Sequence, residues 1–374
     1  MKIYLGNSGT SSRFLLALTA LFPKNSTITF TADERLNMRP MKNLINVLVG
    51  QSLIEVTHLE EGKIYPMVVK SLGNRKIIKD LEIDCSETSQ FASSLILIAP
   101  FLGEDEVSIT LNGDLVSESY ILTSVEILKQ FGAKVSYDKQ NKVIFWKSLG
   151  YNYKESDYTI EADISTAAFD VAYSAIFGQP IILKNLSLNC LQGEIELINL
   201  LQKYFEGFIC EEVEDGLYIK GLDLYSKNST YISNIEEINL LGASDWFIAL
   251  STILALKLPA GTVTKIRGWA NQRIKEWNRL EKVVEILNSF HILSYELKDG
   301  IAIISSEIFH EDNNGNKTLK MTDKLIKVHT YDDHRLAMAF AIMGSVMASK
   351  NKIVIENART VGKTFPEFWT HIHK

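Results

Sequence analysis

Two hydrophobic periods alternate along this chain: short stretches in which every second residue is apolar, and longer ones in which apolar residues recur at three- and four-residue spacing. The first period predicts a strand at Ser26 to Phe30, then short strands at Ile54 to Thr57 and Met67 to Lys70. The second predicts a helix over Met41 to Val49. The same order recurs with a strand at Val107 to Leu111, a helix over Tyr120 to Phe131 ending at Gly132, and a strand pair at Lys134 to Tyr137 and Val143 to Trp146. A third copy reads from Gln179 to Leu183, Gly193 to Tyr204 and Gly207 to Ile219. A fourth reads from Gly261 to Ile266, Arg279 to Phe290 and Ile292 to Ile304.

Each copy is entered through a short polar loop that runs into an apolar helix. The five loops are Asn7 to Arg13, Ser86 to Gln90, Asp163 to Thr166, Gly242 to Asp245 and Tyr331 to Arg335, recurring roughly every 80 residues. A helix N-terminus offers backbone N–H groups and the positive end of the dipole, so five such ends suit an anionic ligand. The repeat count places a boundary near residues 156–160, giving lobes 1–157 with two units and 158–374 with three.

Composition narrows the setting. With 374 residues and 46% hydrophobic content the chain can bury an ample core. A net charge of −6 and a pI near 5.8 give no global attraction to nucleic acid or an anionic membrane, so an anion needs a local basic pocket. Cys85, Cys190 and Cys210 lack metal-ligand spacing and suit a reducing cytoplasm. The apolar run Phe14 to Phe22 is short and followed by no small-residue cleavage site, which argues against an export signal. No cofactor, metal, nucleic-acid or membrane partner is expected.

Basic and acidic residues gather at the loops. Gly6 and Gly9 permit close backbone approach to an anion, with Thr10 and Ser11 hydroxyls beside them, although a plain capped helix explains the segment equally well. Arg35 and Arg39 lie four apart before Pro40, and guanidinium forks suit phosphate or carboxylate. In Asn271 to Arg279, Lys275 and Arg279 share a face if the stretch is helical, and a surface ion-pair ladder is the ordinary alternative. Asp332 or Asp333 can cap the helix that follows, leaving His334 and Arg335 at its mouth.

Taken jointly, these segments resemble the 5-enolpyruvylshikimate-3-phosphate (EPSP) synthase family. Leu5 to Arg13 is similar to the family's L-G-N-[SA]-G-T-x-x-R loop, Arg35 to Pro40 to R-x-x-x-R-P, and Thr88 to Phe91 to [ST]-S-Q-F. Ser244-Asp245 matches its Asp-containing loop, Asn271 to Arg279 its N-x-R-x-K-E-x-x-R signature, Asp333 to Arg335 its D-H-R, and Lys363 to Pro366 its K-[ST]-[FY]-P. The resemblance implies an α/β (α+β) fold of two lobes built from βαβαββ units, five of the usual six being present, with substrates held where helix N-termini meet between the lobes. It implies that Gly9, Arg35, Gln90, Arg279, Arg335 and Lys363 hold phosphoenolpyruvate. Shikimate-3-phosphate falls to Thr88, Ser89, Gln90, Ser117, Asp245, Asn271 and Lys275. In the implied chemistry Asp245 is the base, Glu276 donates a proton to the methylene carbon, and Lys363, His334 and the arginines stabilise the intermediate and the departing phosphate.

The chain departs from the family at several places. It starts at the family's second unit and holds no K-S-x-S-x-R motif, so self-association or a completing chain follows as an expectation. Trp277-Asn278 replaces Thr-Asp, and Glu118 follows Ser117 where a Lys is common. Rival readings are a catalytically impaired paralogue or split-enzyme subunit that binds phosphorylated ligands, and enolpyruvyl transfer to another acceptor. Transfer to a nucleotide sugar would require a Cys in a Gly-rich loop, a context none of the three cysteines occupies.

Overall fold

In a computed structural model the described residues are 1–74, 78–103, 106–147, 157–222, 235–239, 241, 244–258, 261–304, 309–311, 317–319, 325–347 and 352–372. Gly242 and Ala243 of the fourth polar loop, and Ser156 at the expected boundary, lie outside them. Contacts divide the chain into Met1–Tyr158 and Thr159–Lys374, each with its own apolar core.

The first unit contains β1 (Lys2–Tyr4), α1 (Gly9–Thr19), β2 (Thr27–Thr31), α2 (Lys42–Gly50), β3 (Ile54–His58) and β4 (Met67–Ser71). β1 runs parallel to β2, β4 antiparallel to β2, and β3 antiparallel to β4, giving the order β1-β2-β4-β3. β5 (Asp80–Asp84), α3 (Gln90–Ile98), β6 (Glu106–Asn112), α4 (Ser119–Gln130), β7 (Lys134–Asp138) and β8 (Val143–Lys147) repeat that wiring as β5-β6-β8-β7. Alternation sets the facing. Ile28 and Phe30 of β2, and Met67 and Val69 of β4, point into the core against Leu16 and Ala17 of α1.

The second unit opens with α5 (Ile164–Phe177), whose N-cap Asp163 accepts from the Ser165 N–H at 2.9 Å. It continues through β9 (Ile181–Lys184), α6 (Glu196–Tyr204), β10 (Ile209–Val213) and β11 (Gly216–Lys220), an antiparallel sheet ordered β10-β11-β9. β12 (Glu237–Asn239), α7 (Phe247–Lys257), β13 (Val263–Arg267), α8 (Arg279–Ser289), β14 (Ser294–Leu297) and β15 (Gly300–Ile304) form a sheet ordered β12-β13-β15-β14, again with its first pair parallel. The hairpin β16 (Phe309–Glu311) and β17 (Lys317–Leu319) precedes β18 (Leu325–Val328), α9 (His334–Met347), β19 (Lys352–Ile355) parallel to β18, and α10 (Phe368–His371).

Helices α5, α7 and α9 pack on one another at the centre of this unit. α7 is buried at every position from Phe247 to Lys257, and the Lys257 ammonium reaches the Leu222 carbonyl. A helix apolar all round needs partners on all sides. It therefore holds its N-terminal mouth, where Asp245 stands, rigidly. Among the described residues no helix is long and apolar enough to cross a membrane.

Candidate active site

In the first unit the polar residues collect at the mouths of α1 and α3, which pack side by side. Gly6 turns the chain with φ +55°, and Ser8 caps α1 by accepting from the Ser11 N–H at 3.2 Å. Arg13 is buried: one terminal nitrogen donates to Gln90 Oε1, the other to the Pro40 carbonyl at 3.0 Å, and the guanidinium lies 5.3 Å from the Phe91 ring centroid. Gln90 Nε2 in turn donates to Thr10 Oγ1 at 2.9 Å, tying the two mouths together. Thr88 Oγ1 accepts from the Gln90 N–H at 3.3 Å, and Ser89 and Ser117 are buried nearby in sequence at the starts of α3 and α4.

Arg39 lies against Gly9 so closely that a Cβ there would stand 2.7 Å from its Cζ. The Nε atoms of Arg13 and Arg39 are buried and have no hydrogen-bond partner among the described residues. Burial, then the charge of Arg39, lowers the Arg13 pKa to about 9. Two guanidinium groups lie close together here without a carboxylate at ion-pair distance, among the described residues, an arrangement that a bound anion would relieve.

The second unit assembles the opposite arrangement, cations already paired with carboxylates. Asp245, in the 3-10 turn Ser244–Trp246, lies 3.2 Å from Arg335 Nη2, 3.4 Å from Lys275 Nζ and 3.9 Å from Arg279 Nη1. Glu276 binds Lys363 Nζ at 2.6 Å and Arg279 Nη2 at 2.7 Å. Asp333 accepts from Arg279 Nε at 2.6 Å and from the Arg335 N–H at 2.9 Å, so it fixes Arg279 while capping α9. The Gln272 side-chain oxygen accepts from Arg279 Nη1 at 3.0 Å, and Asn271 is buried beside it in the chain.

Electrostatics assigns states to these groups. Burial would push Asp245 up, but Arg335, Lys275 and Arg279 outweigh it and hold the carboxyl well below the usual range. Burial would likewise discharge Arg279, and Asp333 and Glu276 keep it protonated. His334 goes the other way. Burial lowers its pKa to about 4 against the pull of Asp333, and its Nδ1 has no hydrogen-bond partner among the described residues. It is a neutral imidazole at pH 7, so it can act on an anion through a hydrogen bond rather than a charge.

One expectation changes. Asn271 to Arg279 is not one helix: a 3-10 turn, Ala270–Ile274, ends at Lys275 with ψ −145°, and α8 begins afresh at Arg279 behind N-cap Asn278. Lys275 and Arg279 nevertheless converge on Asp245, so the surface ion-pair ladder is excluded. Of the two arginines before Pro40, Arg39 packs against Gly9, and Arg35 Nη1 contacts Met38 Sδ at 3.4 Å. The sequence held the signal: a residue before proline is pushed to extended backbone, and Arg39, at φ −89° and ψ 143°, leaves the 3-10 turn there and folds back. Arg13, Gln272 and Asp333 join these two clusters although the sequence motifs do not single them out for a role. None of the thiols stands in a reactive setting: burial pushes Cys85 up to about 12 and Cys190 and Cys210 to about 11.

The profile of the family described as EPSP synthase (3-phosphoshikimate 1-carboxyvinyltransferase) matches residues 1–372. The pentafunctional AROM polypeptide 2 of Lodderomyces elongisporus is 29% identical over 379 residues, covering 100% of this chain and 23% of its own length. That of Komagataella phaffii is 26% identical over 376 residues with the same coverage, so the chain spans about a quarter of these curated relatives. Among solved structures, an EPSP synthase from Acinetobacter baumannii superposes with a TM-score of 0.67 at 23% identity, over 98% of this chain and 77% of that one. The enolpyruvyl transferase NikO from Streptomyces tendae gives 0.62 at 12% identity, over 95% and 73%.

Proposed function

The chain belongs to the EPSP synthase family, and from that premise we propose that it transfers the enolpyruvyl group of phosphoenolpyruvate to the 5-hydroxyl of shikimate-3-phosphate, releasing phosphate. The observation that carries the reading is the network in which Asp245 and Glu276, two proton-transfer carboxylates, are interleaved with Lys275, Arg279, Arg335 and Lys363. Such a set suits addition followed by elimination. Asp245 takes the proton of the 5-hydroxyl as that oxygen bonds to C2 of phosphoenolpyruvate, and Glu276, which takes up a proton once the substrate anion displaces it from Lys363 and Arg279, gives that proton to C3, forming a tetrahedral intermediate. Return of a C3 proton to the Glu276 carboxylate and cleavage of the bond between C2 and the bridging phosphate oxygen then yield the enol ether and phosphate, whose charge the cations stabilise.

In this reading phosphoenolpyruvate is bound by Gly9, Arg35, Gln90, Arg279, Arg335 and Lys363, and Arg39, packed against Gly9, supplies a further cation. Shikimate-3-phosphate is bound by Thr88, Ser89, Gln90, Ser117, Asp245, Asn271 and Lys275, and neutral His334 serves as a hydrogen-bonding group. The reading includes two βαβαββ units up to residue 157, three from 158, and a cytoplasmic setting. Phosphate release, measured with both substrates and with each omitted, tests it. No release dependent on both substrates, from a chain that melts cooperatively, would sink it.

A further inference from the structure

Tyr331 and Asp332 both have left-handed backbone, with φ of 52° and 56°. Side chains with a Cβ disfavour that region, and two such residues in succession persist only where their surroundings impose it. The turn they make opens α9, immediately before Asp333, His334 and Arg335.

What imposes the conformation is visible on both sides. The Tyr331 hydroxyl donates to Glu285 Oε1 at 2.8 Å, Lys282 Nζ sits 4.6 Å from its ring centroid, and the Trp277 ring packs at 5.5 Å with an interplanar angle of 56°. Lys282 is itself held 2.9 Å from Glu285, so the grip on the ring is preset by α8. On the other side the Asp332 carbonyl accepts from Thr360 Oγ1 at 2.8 Å and its carboxylate from Asn357 Nδ2. Thr360 belongs to the 3-10 turn Ala358–Lys363, which ends at Lys363. Three elements that bear cations, α8, α9 and this last turn, are therefore braced through two strained residues.

We infer that Tyr331 is a positioning residue: gripped by Trp277, Lys282 and Glu285, it holds the left-handed turn that sets where Asp333 stands, and through Asp333 the guanidinium of Arg279. The inference rests on the proposal that Arg279 and Arg335 bind the anion. Tyr331 also packs against the apolar core of its unit, but Trp277 is 38% exposed, so the grip on the ring is built at the surface rather than within the core. Trp277 also stands where the family pattern has a small polar residue.

The test compares the full chain with Tyr331→Phe, Trp277→Ala and Tyr331→Gly by titration with inorganic phosphate and by thermal melting. Glycine adopts the turn without strain but is gripped by nothing. Tyr331→Gly should melt close to wild type yet bind phosphate about tenfold more weakly, the equivalent of about 1.4 kcal/mol. Tyr331→Phe keeps the ring and should lose no more than about threefold, with Trp277→Ala between the two. Wild-type affinity in folded Tyr331→Gly overturns the inference, as does a loss of affinity that merely tracks lost melting temperature across the series. Should Tyr331→Gly not fold, wild-type affinity in Trp277→Ala overturns it instead. Turnover is read separately: the expected affinity ranking in a chain that transfers no enolpyruvyl group would refute the proposed reaction and leave the positioning role standing.

Discussion

Replacing Glu276 by Gln should make the site bind phosphate more tightly while disabling the reaction. Lys275, Arg279, Arg335 and Lys363 are four cations set among three carboxylates, Asp245, Glu276 and Asp333. An incoming anion therefore competes with carboxylates that already occupy its partners. Glu276 is the strongest competitor for Lys363, at 2.6 Å. Because the Lys363 side chain is 33% exposed and that of Glu276 8%, the pair is partly screened, and its loss is worth about 1–2 kcal/mol rather than a fully buried value. Glutamine keeps the shape, releases Lys363 and raises the local net charge by one. Phosphate affinity should rise about five- to thirtyfold. Turnover should fall about 10²–10⁴-fold through loss of the proton donor. Titration calorimetry of phosphate at low ionic strength, beside a phosphate-release assay, reads both effects. A folded variant that binds phosphate no better than wild type would show that Glu276 is not a competing counter-ion, and the reasoning would fail.

Asp245→Asn should lower turnover about 10²–10⁴-fold while leaving shikimate-3-phosphate binding largely intact, and steady-state kinetics with wild-type kcat would refute its role as base. Gly9→Ala places a methyl 2.7 Å from Arg39 Cζ, the movable end of a long side chain. Melting should therefore be unchanged while KM for phosphoenolpyruvate rises about fivefold, and an unchanged KM would remove Arg39 from the site. His334, lowered to about 4 in the folded chain, is protonated first in the unfolded one. Its contribution is complete above pH 6.5 and is lost as pH falls from there toward 4, costing about 3 kcal/mol. Urea titrations at pH 7 and 4.5 should show that loss in wild type and a smaller one in His334→Gln; equal losses would place the pH sensitivity elsewhere.

Much of the architecture was legible because local signals agree with the final packing. The alternation in Thr27–Thr31 and the cap at Ser8 point the same way as the buried faces of β2 and α1. The stretch before Arg279 was not legible in the same way. Its helical spacing is real, yet Asn278 makes a better cap than helix interior, and the charge of Asp245 draws Lys275 and Arg279 together without a continuous helix. The pairing of Asp333 with Arg279, 54 residues apart, depends on how α8 meets α9. No local rule reports that. The same holds for His334, whose neutrality comes from burial under a fold that must first be known.

The enclosure of α7 bears on how this protein can evolve. Since every residue from Phe247 to Lys257 is buried, the helix that carries Asp245 at its mouth has no face on which substitutions accumulate harmlessly. Shortening one of its large side chains would open a cavity costing about 2–5 kcal/mol, a large part of the stability of an ordinary domain. Gradual change around Asp245 is therefore closed off from behind that carboxylate. It can enter instead from the segment between residues 270 and 279, where Ile274 and Trp277 still meet water and a replacement can be tried without dismantling the helix that holds Asp245 in place.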